Sequence, residues 1–214
     1  MTTRTLTPVD RLLSRADRVM RSLSQRKPTA HRPSPAAGHT EPPMSEQERQ
    51  HAAGLMRVNH TGEVCAQALY EGQALVARAE STRQNLLEAA QEEVDHLVWC
   101  EERLLELDAA PSKLNPLFYG VSFALGAATA AIGDRVSLGF VHATEERVAN
   151  HLRAHLKALP AEDRKSQLIL QQMLEDEERH GAEALEHGGQ EFPRPVKDAM
   201  TAASQLMTHS SYWI

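Results

Sequence analysis

Residues 86–100 read LLEAAQEEVDHLVWC, and residues 170–184 read LQQMLEDEERHGAEA. Each run carries a glutamate and a histidine three positions apart, Glu93 with His96 and Glu177 with His180. On a helix an i, i+3 pair lies on one face, and here that face is otherwise apolar. Leu86, Ala89, Ala90, Leu97 and Cys100 accompany Glu93, while Leu170, Met173, Leu174 and Ala184 accompany Glu177. The adjacent glutamates fall elsewhere: Glu92 goes with Asn85, Glu88 and Asp95, and Glu178 with Gln171 and Glu175. Two helices therefore turn a carboxylate and an imidazole inward. A buried carboxylate without a partner is very costly, so the pattern asks for a cation.

Working outward, each pair is preceded by a further glutamate on the helix before it. Glu63 stands 30 residues ahead of Glu93, and Glu145 stands 32 ahead of Glu177. Residues equidistant from the turn of an antiparallel hairpin share one height. The midpoint of Glu145 and Glu177 is residue 161, inside a Pro160–Asp163 turn; that of Glu63 and Glu93 is residue 78, near a turn expected about Ser81. Glu145 lies with Val141, Val148 and Leu152, whereas Glu146 lies with His142, Ala149 and Arg153. Glu63 has a mixed face of Met56, Ala66 and Tyr70 with Asn59 and Gln67. One Glu from each of two helices plus Glu-x-x-His from each of two others is the donor set of a two-metal carboxylate bundle. With 21 glutamates and 11 histidines in 214 residues, about one chance Glu-x-x-His is expected, so a lone copy says little. Glu48 with His51 is such a copy and reads as an exposed helix face. The doubled motif with its matched upstream glutamates reads as metal ligation, and four carboxylates with two imidazoles favour iron or manganese over zinc.

The rest of the chain agrees with an all-α fold. Aromatics make up 4% and helix formers dominate, which excludes a β-sandwich or barrel. A net charge of −6 gives no reason to expect nucleic acid as a partner. Two cysteines, Cys65 and Cys100, build neither a disulfide framework nor a four-thiolate site, and read as reduced thiols within the bundle. No dinucleotide or phosphate-binding loop competes, nor a Ser-His-Asp set with context.

Three regions follow. Residues 1–27 carry an amphipathic repeat over Val9–Leu23 with seven Lys/Arg against two Asp, a basic helix suited to an anionic membrane surface; Met1–Asp10 lacks the apolar core of a secretory signal. Residues 28–43 hold five prolines and read as an extended linker. Residues 44–214 are helical, with helices expected at about Ser45–Glu80, Arg83–Leu107, Val136–Leu159, from after Asp163 to His187, and from Val196 onward. Between the second and third lies Leu114–Ile132, nineteen positions without a charge. Its Pro116, glycines and alanines argue against a full span and for a buried crossover or a segment lying in the membrane interface, with Phe118 and Phe123 as its lipid contacts.

The runs Arg57-Val58-Asn59-His60-Thr61-Gly62-Glu63, Glu93-Val94-Asp95-His96, Phe123-Ala124-Leu125-Gly126-Ala127, Glu145-Glu146 and Glu177-Glu178-Arg179-His180 together resemble the demethoxyubiquinone hydroxylases of ubiquinone biosynthesis. The resemblance covers about Met44 to the C-terminus. Asn59 stands where that family usually has Asp, and Leu152 where a tyrosine is common. It implies a ferritin-like four-helix bundle holding two iron ions, with Glu63, Glu93 and His96 on one, Glu145, Glu177 and His180 on the other, and Glu93 and Glu177 bridging. It implies hydroxylation of a polyprenylated methoxy-methyl-benzoquinol by O2, with His151 assisting proton or electron transfer and Asp95 and Asp176 bonding the ligand histidines. Implied partners are the quinol, O2, the lipid surface, an electron donor that the sequence does not identify, and other proteins of ubiquinone biosynthesis. The expected location is the cytoplasmic face of a bacterial cell membrane, as a peripheral protein. A ferritin-like ferroxidase or iron store and a non-catalytic membrane-binding module with a structural metal are the competing readings.

Overall fold

Alternating apolar faces and well-placed caps settle where the helices lie. The computed structural model describes residues 29–214, and among these the regular structure is six helices. They are α1 (Glu46–Val76), α2 (Glu80–Glu106), α3 (Asn115–Ile132), α4 (Asp134–Ala158), α5 (Arg164–Glu186) and α6 (Arg194–Trp213). The basic amphipathic segment expected over residues 1–27 lies outside the described residues. Ser45 caps α1: its hydroxyl accepts from Glu48 N at 3.3 Å, and Glu48 Oε2 accepts from Ser45 N at 2.8 Å. Asp163 caps α5 by accepting from Ser166 N at 3.0 Å. The first turn falls at 77–79 rather than near Ser81, and α2 starts at Glu80. No Gly or Pro marks this turn. It is fixed from outside, by Asp134 accepting from Arg78 N and Ala79 N at 3.0 and 2.9 Å.

Helices α1 and α2 form one hairpin, α4 and α5 the other, and the two hairpins pack as a ferritin-like four-helix bundle. The core splits into two apolar clusters. Met56, Trp99, Cys100, Leu104, Leu152, Ile169, Leu170 and Met173 fill one end. Ala66, Tyr70, Leu86, Ala90, Val141 and Ala184 fill the other. The level between them, where residues 63, 93, 145 and 177 fall, is left to polar groups. The last helix, α6, crosses α1 and α4. Its Tyr212 hydroxyl meets His51 Nδ1 at 2.7 Å while His51 Nε2 meets Ala158 O at 3.0 Å. Glu48 and His51, expected on an exposed face, are thus a helix cap and a clamp on α6.

Helix α3 lies along α1, and the contact is backbone on backbone. A Cβ on Gly72 would stand 2.2 Å from the Phe123 carbonyl oxygen, and one on Gly126 2.2 Å from that of Leu69. Gly133, at φ +155°, joins α3 to α4 in a single residue. The expectation of a buried crossover is not met. Only Gly126, Thr129 and Ala130 of α3 are buried, while Leu117 and Val121 are 61% and 59% exposed. Phe118 and Phe123 are half-buried, so the outward apolar stripe is Leu117, Val121, Leu125 and Ile132 instead.

The proline-rich residues carry no helix or strand from 29 to 44, yet they are seated on the bundle. Ala36 joins the core, and Glu41 pairs with the buried Arg103 at 2.7 Å. Reading the prolines as a linker missed this docking, because it depends on side chains more than sixty residues away.

Candidate metal centre

Hairpin pairing brings all six sequence-predicted ligands to one level between the two apolar clusters. All six are buried. Glu63, Glu93, His96 and Glu177 each offer one ligand atom, and those atoms lie within 4.8 Å of one another. Glu93 presents Oε2 to His96 Nδ1 and Oε1 to His180 Nδ1, both at 3.4 Å. Glu177 does the same, with Oε1 3.2 Å from His96 Nδ1 and Oε2 3.6 Å from His180 Nδ1. Each of these two carboxylates therefore faces both imidazoles. Glu63 belongs to the His96 side, 3.6 Å from its Nδ1. Glu145 belongs to the other, and accepts the Tyr70 hydroxyl at 2.5 Å.

The donor set fits a metal pair. Both oxygens of Glu93 and Glu177, Glu145 Oε2, and Nδ1 of His96 and His180 are buried with no hydrogen-bond partner among the described residues. Seven converging donor atoms left bare in a dry core would cost several kcal/mol per ion, and cations offset that cost.

Outer contacts hold the imidazoles. With each Nδ1 turned to the cluster, His96 Nε2–H donates to Asp176 Oδ2 at 2.9 Å and His180 Nε2–H donates to Glu92 Oε2 at 3.2 Å. Asp176 precedes Glu177, and Glu92 precedes Glu93, so each metal-facing helix supports the histidine of the other. Of the two aspartates expected here, only Asp176 bonds a ligand histidine. Asp95 accepts instead from His31 N at 2.6 Å and Arg32 Nε at 2.8 Å. Glu92, placed on a polar face by its phase, takes the second position because α5 packs over it.

Electrostatics follow from four carboxylates in one dry pocket. Burial, then the Glu93 charge, raises the Glu63 carboxyl well above its ordinary value. Burial, then Glu177 and Glu93, does the same to Glu145. Burial alone would lower His180, but contacts with Glu177 and Glu93 outweigh it and hold the imidazole at about 11. The pocket gathers protons where a metal would otherwise supply positive charge.

A cleft of about 530 Å³ opens between α1, α4 and α6, lined by Val58, His151, His155, Thr208, Tyr212 and Trp213 among others. Beneath it a smaller hollow reaches Glu63 past Arg147, Val148, Leu152 and Met207. His151 is therefore not among the ligands but on the wall between the cleft and Glu63. Burial and then the Arg147 charge push it down to about 4, and its Nε2 has no partner among the described residues. Its ring lies against that of His155, tilted by 55° with 3.8 Å between centroids, and His155 Nδ1 meets Asn59 Oδ1 at 2.9 Å. Asn59 thus secures this wall, and Leu152 is core. On the far side, a cavity of about 100 Å³ touches His180 and is lined by Glu88, Glu92, Glu183 and His187. Tyr70 and Arg32 were missed by the sequence reading; Tyr70 sits on Glu63's helical face, which was the one available signal.

Comparison with known proteins agrees with this architecture. The family described as "Ubiquinone biosynthesis protein COQ7" matches residues 43–211. The chain is 55% identical over 213 residues to the 3-demethoxyubiquinol 3-hydroxylase of Pseudomonas fluorescens strain Pf-5, covering 100% of this chain and 99% of that one. It is 56% identical over 205 residues to the protein of the same name from Azotobacter vinelandii, covering 96% and 95%. The Stutzerimonas stutzeri protein, also so named, is 55% identical over 207 residues, covering 97% and 96%. On its bundle, its doubled Glu-x-x-His and these matches, the chain belongs to the ubiquinone biosynthesis protein COQ7 family.

Proposed function

We propose that this chain acts as its relatives are named, hydroxylating the ring of a demethoxyubiquinol in ubiquinone biosynthesis, with two iron ions held by Glu63, Glu93, His96, Glu145, Glu177 and His180. One observation carries it: six buried ligand residues from four helices converge, and seven of their donor atoms have no other partner among the described residues. Glu93 and Glu177 would bridge, since each faces both histidines. Iron at this position supplies the redox chemistry that activates O2. One oxygen atom replaces a ring hydrogen; the other leaves as water, taking two electrons and two protons from a donor of another kind. The chain's own residues do the rest. Val58, Val148, Leu152 and Met207 give the hollow beside Glu63 apolar surface for the quinol ring. His151, kept neutral by burial and lining both the cleft and the hollow, would pass a proton between them. The ferroxidase and structural-metal readings fall with the family membership.

The substrate's polyprenyl tail gains ~0.8 kcal/mol per buried CH₂, so it stays in lipid and the protein must go to it. Helix α3 is, among the described residues, the one helix long and apolar enough to cross a membrane. Both its ends are tied to helices of one bundle, so a crossing would part ligands that meet. Its outward stripe supports lying on the membrane instead, as do Leu206 and Trp213 of α6, 74% and 73% exposed near the cleft mouth. Residues 1–27 would add charge attraction of ~1 kcal/mol per Lys/Arg to anionic lipid. Two free cysteines accord with the cytoplasmic face.

The test is the full chain loaded anaerobically with Fe(II), given demethoxyubiquinol in anionic vesicles, O2 and a reductant. Two irons per chain and a hydroxylated quinol are expected, with vesicle binding and turnover both reduced in Leu117→Glu/Val121→Glu. Iron oxidation without quinol product would overturn the reading.

A further inference from the structure

The two ligand histidines share a design, a carboxylate behind each imidazole and an arginine behind each carboxylate, but the arginines differ in origin. Behind His180 stands Glu92, bonded by Arg179 of α5 itself at 2.5 Å. Behind His96 stands Asp176, and its arginine comes from outside the bundle. Arg32 Nη1 lies 2.9 Å from Asp176 Oδ2, the same oxygen that His96 Nε2 bonds at 2.9 Å. Arg32 Nε reaches Asp95 Oδ2 at 2.8 Å, and the preceding backbone His31 N donates to Asp95 Oδ1 at 2.6 Å. The guanidinium carbon sits 4.9 Å above the Trp99 ring, and Trp99 Nε1 donates to the Arg32 carbonyl at 3.3 Å. Trp99 in turn lies against His96, 5.5 Å between centroids. Gln172 and Arg179 touch Asp176 only through Oδ1, at 3.4 and 3.3 Å. Among the described residues Arg32 is therefore the one arginine on Oδ2.

We propose that Arg32 is a positioning residue for the Glu63–His96 half of the metal centre, acting through Asp176 Oδ2, so that the segment preceding α1 completes one half of the site and not the other. A planar fork can satisfy two carboxylates at once, which fixes Asp176 and hence the plane of the His96 ring. Lysine has the charge without the fork. Ala36 lies in the core and Glu41 pairs with Arg103 elsewhere in the same segment, and neither touches Asp176.

This rests on the two-metal reading, and the experiment separates the two. The full chain is loaded anaerobically with Fe(II) alone, and release to a chelator is followed for the unaltered protein, Arg32→Gln, Arg32→Lys and Glu41→Gln. The unaltered chain is expected to release two ions. In Arg32→Gln one ion is expected to be held ~10–100-fold more weakly and the other unchanged, the effect usual for a lost outer contact to a metal ligand. Arg32→Lys should recover part of the loss, and Glu41→Gln should match the unaltered chain. If Arg32→Gln holds both ions as before, or weakens both equally, Arg32 does not act on one half and the inference is wrong. An unaltered chain that binds fewer than two ions overturns the two-metal reading itself.

Discussion

Around His96 the fold places Glu63, Asp176 and, beyond them, Arg32; around His180 it places Glu145, Glu92 and Arg179. The parts match, and the hairpins make the match nearly symmetrical. The surroundings do not. Glu63 lines the hollow beneath the cleft, with Val58, Val148, Leu152 and Met207 beside Arg147 and His151, whereas Glu145 is bonded by Tyr70. The His180 half adjoins a cavity, smaller than the cleft, whose lining mixes Glu88, Glu92, Glu183 and His187 with Leu86, Leu138 and Val141. Duplication supplies the ligands; asymmetry supplies direction. On the proposed function the quinol reaches the centre on the Glu63 side.

The largest effect tests what the halves share. Replacing Glu177 with Ala should remove iron from both positions and abolish hydroxylation, because its two oxygens serve both histidines. Glu178→Ala, exposed and ~100° around the helix, should keep iron and activity within about twofold. Metal analysis of the pair decides: a Glu177→Ala protein that retains one iron firmly would mean independent halves.

A smaller effect tests what they do not share. Thr208 lines the cleft and its inner hollow. Thr208→Trp should lower kcat/KM for the quinol about 10-fold while iron content stays whole, within the range a crowded pocket costs. Glu88→Gln, in the opposite cavity, should leave quinol kcat/KM unchanged. Steady-state kinetics with iron assayed alongside would show either the contrast or its absence.

How far this was readable from the sequence follows the same division. Helical phase separates Glu145 from Glu146 and Glu177 from Glu178, and hairpin midpoints align the ligands, because both are local regularities. The turn after α1 was misplaced, since Ala77-Arg78-Ala79 carries no breaker and is held by Asp134 from another helix. Asp95 was paired with the wrong partner, and Arg32 was passed over as part of a linker, because both depend on a loop folding back onto α2 and α5. The apolar stretch at 114–132 was legible as apolar, but which face it turns outward is decided by Gly72 and Gly126 meeting its neighbour.

The smallest effect concerns the cleft wall. Burial lowers His151 to about 4 and His155 to about 3, and does the same to His60 beside α3, to about 4, from an ordinary 6.5. Neutral in the fold, they take up protons below pH 6.5 only on unfolding. Their contribution to stability is therefore full above that pH and falls as the pH drops toward 4, by roughly 1.4 kcal/mol per pH unit per histidine at most. Because His180, Glu63 and Glu145 are shifted the other way, the difference is what tests this: from pH 7.5 to 5.5 the urea midpoint of His151→Gln should gain on that of the unaltered protein. Equal slopes would mean that His151 is not held neutral.

The central claim, that this centre places an atom of O2 on a quinol ring, is tested most directly by isotope. Iron-loaded, reduced protein is mixed with vesicle-borne demethoxyubiquinol under ¹⁸O₂, and the product is analysed by mass spectrometry. One heavy oxygen is expected on the ring of each product molecule, and no product from Glu177→Ala. Product carrying oxygen from water, or the same yield from Glu177→Ala, would contradict it.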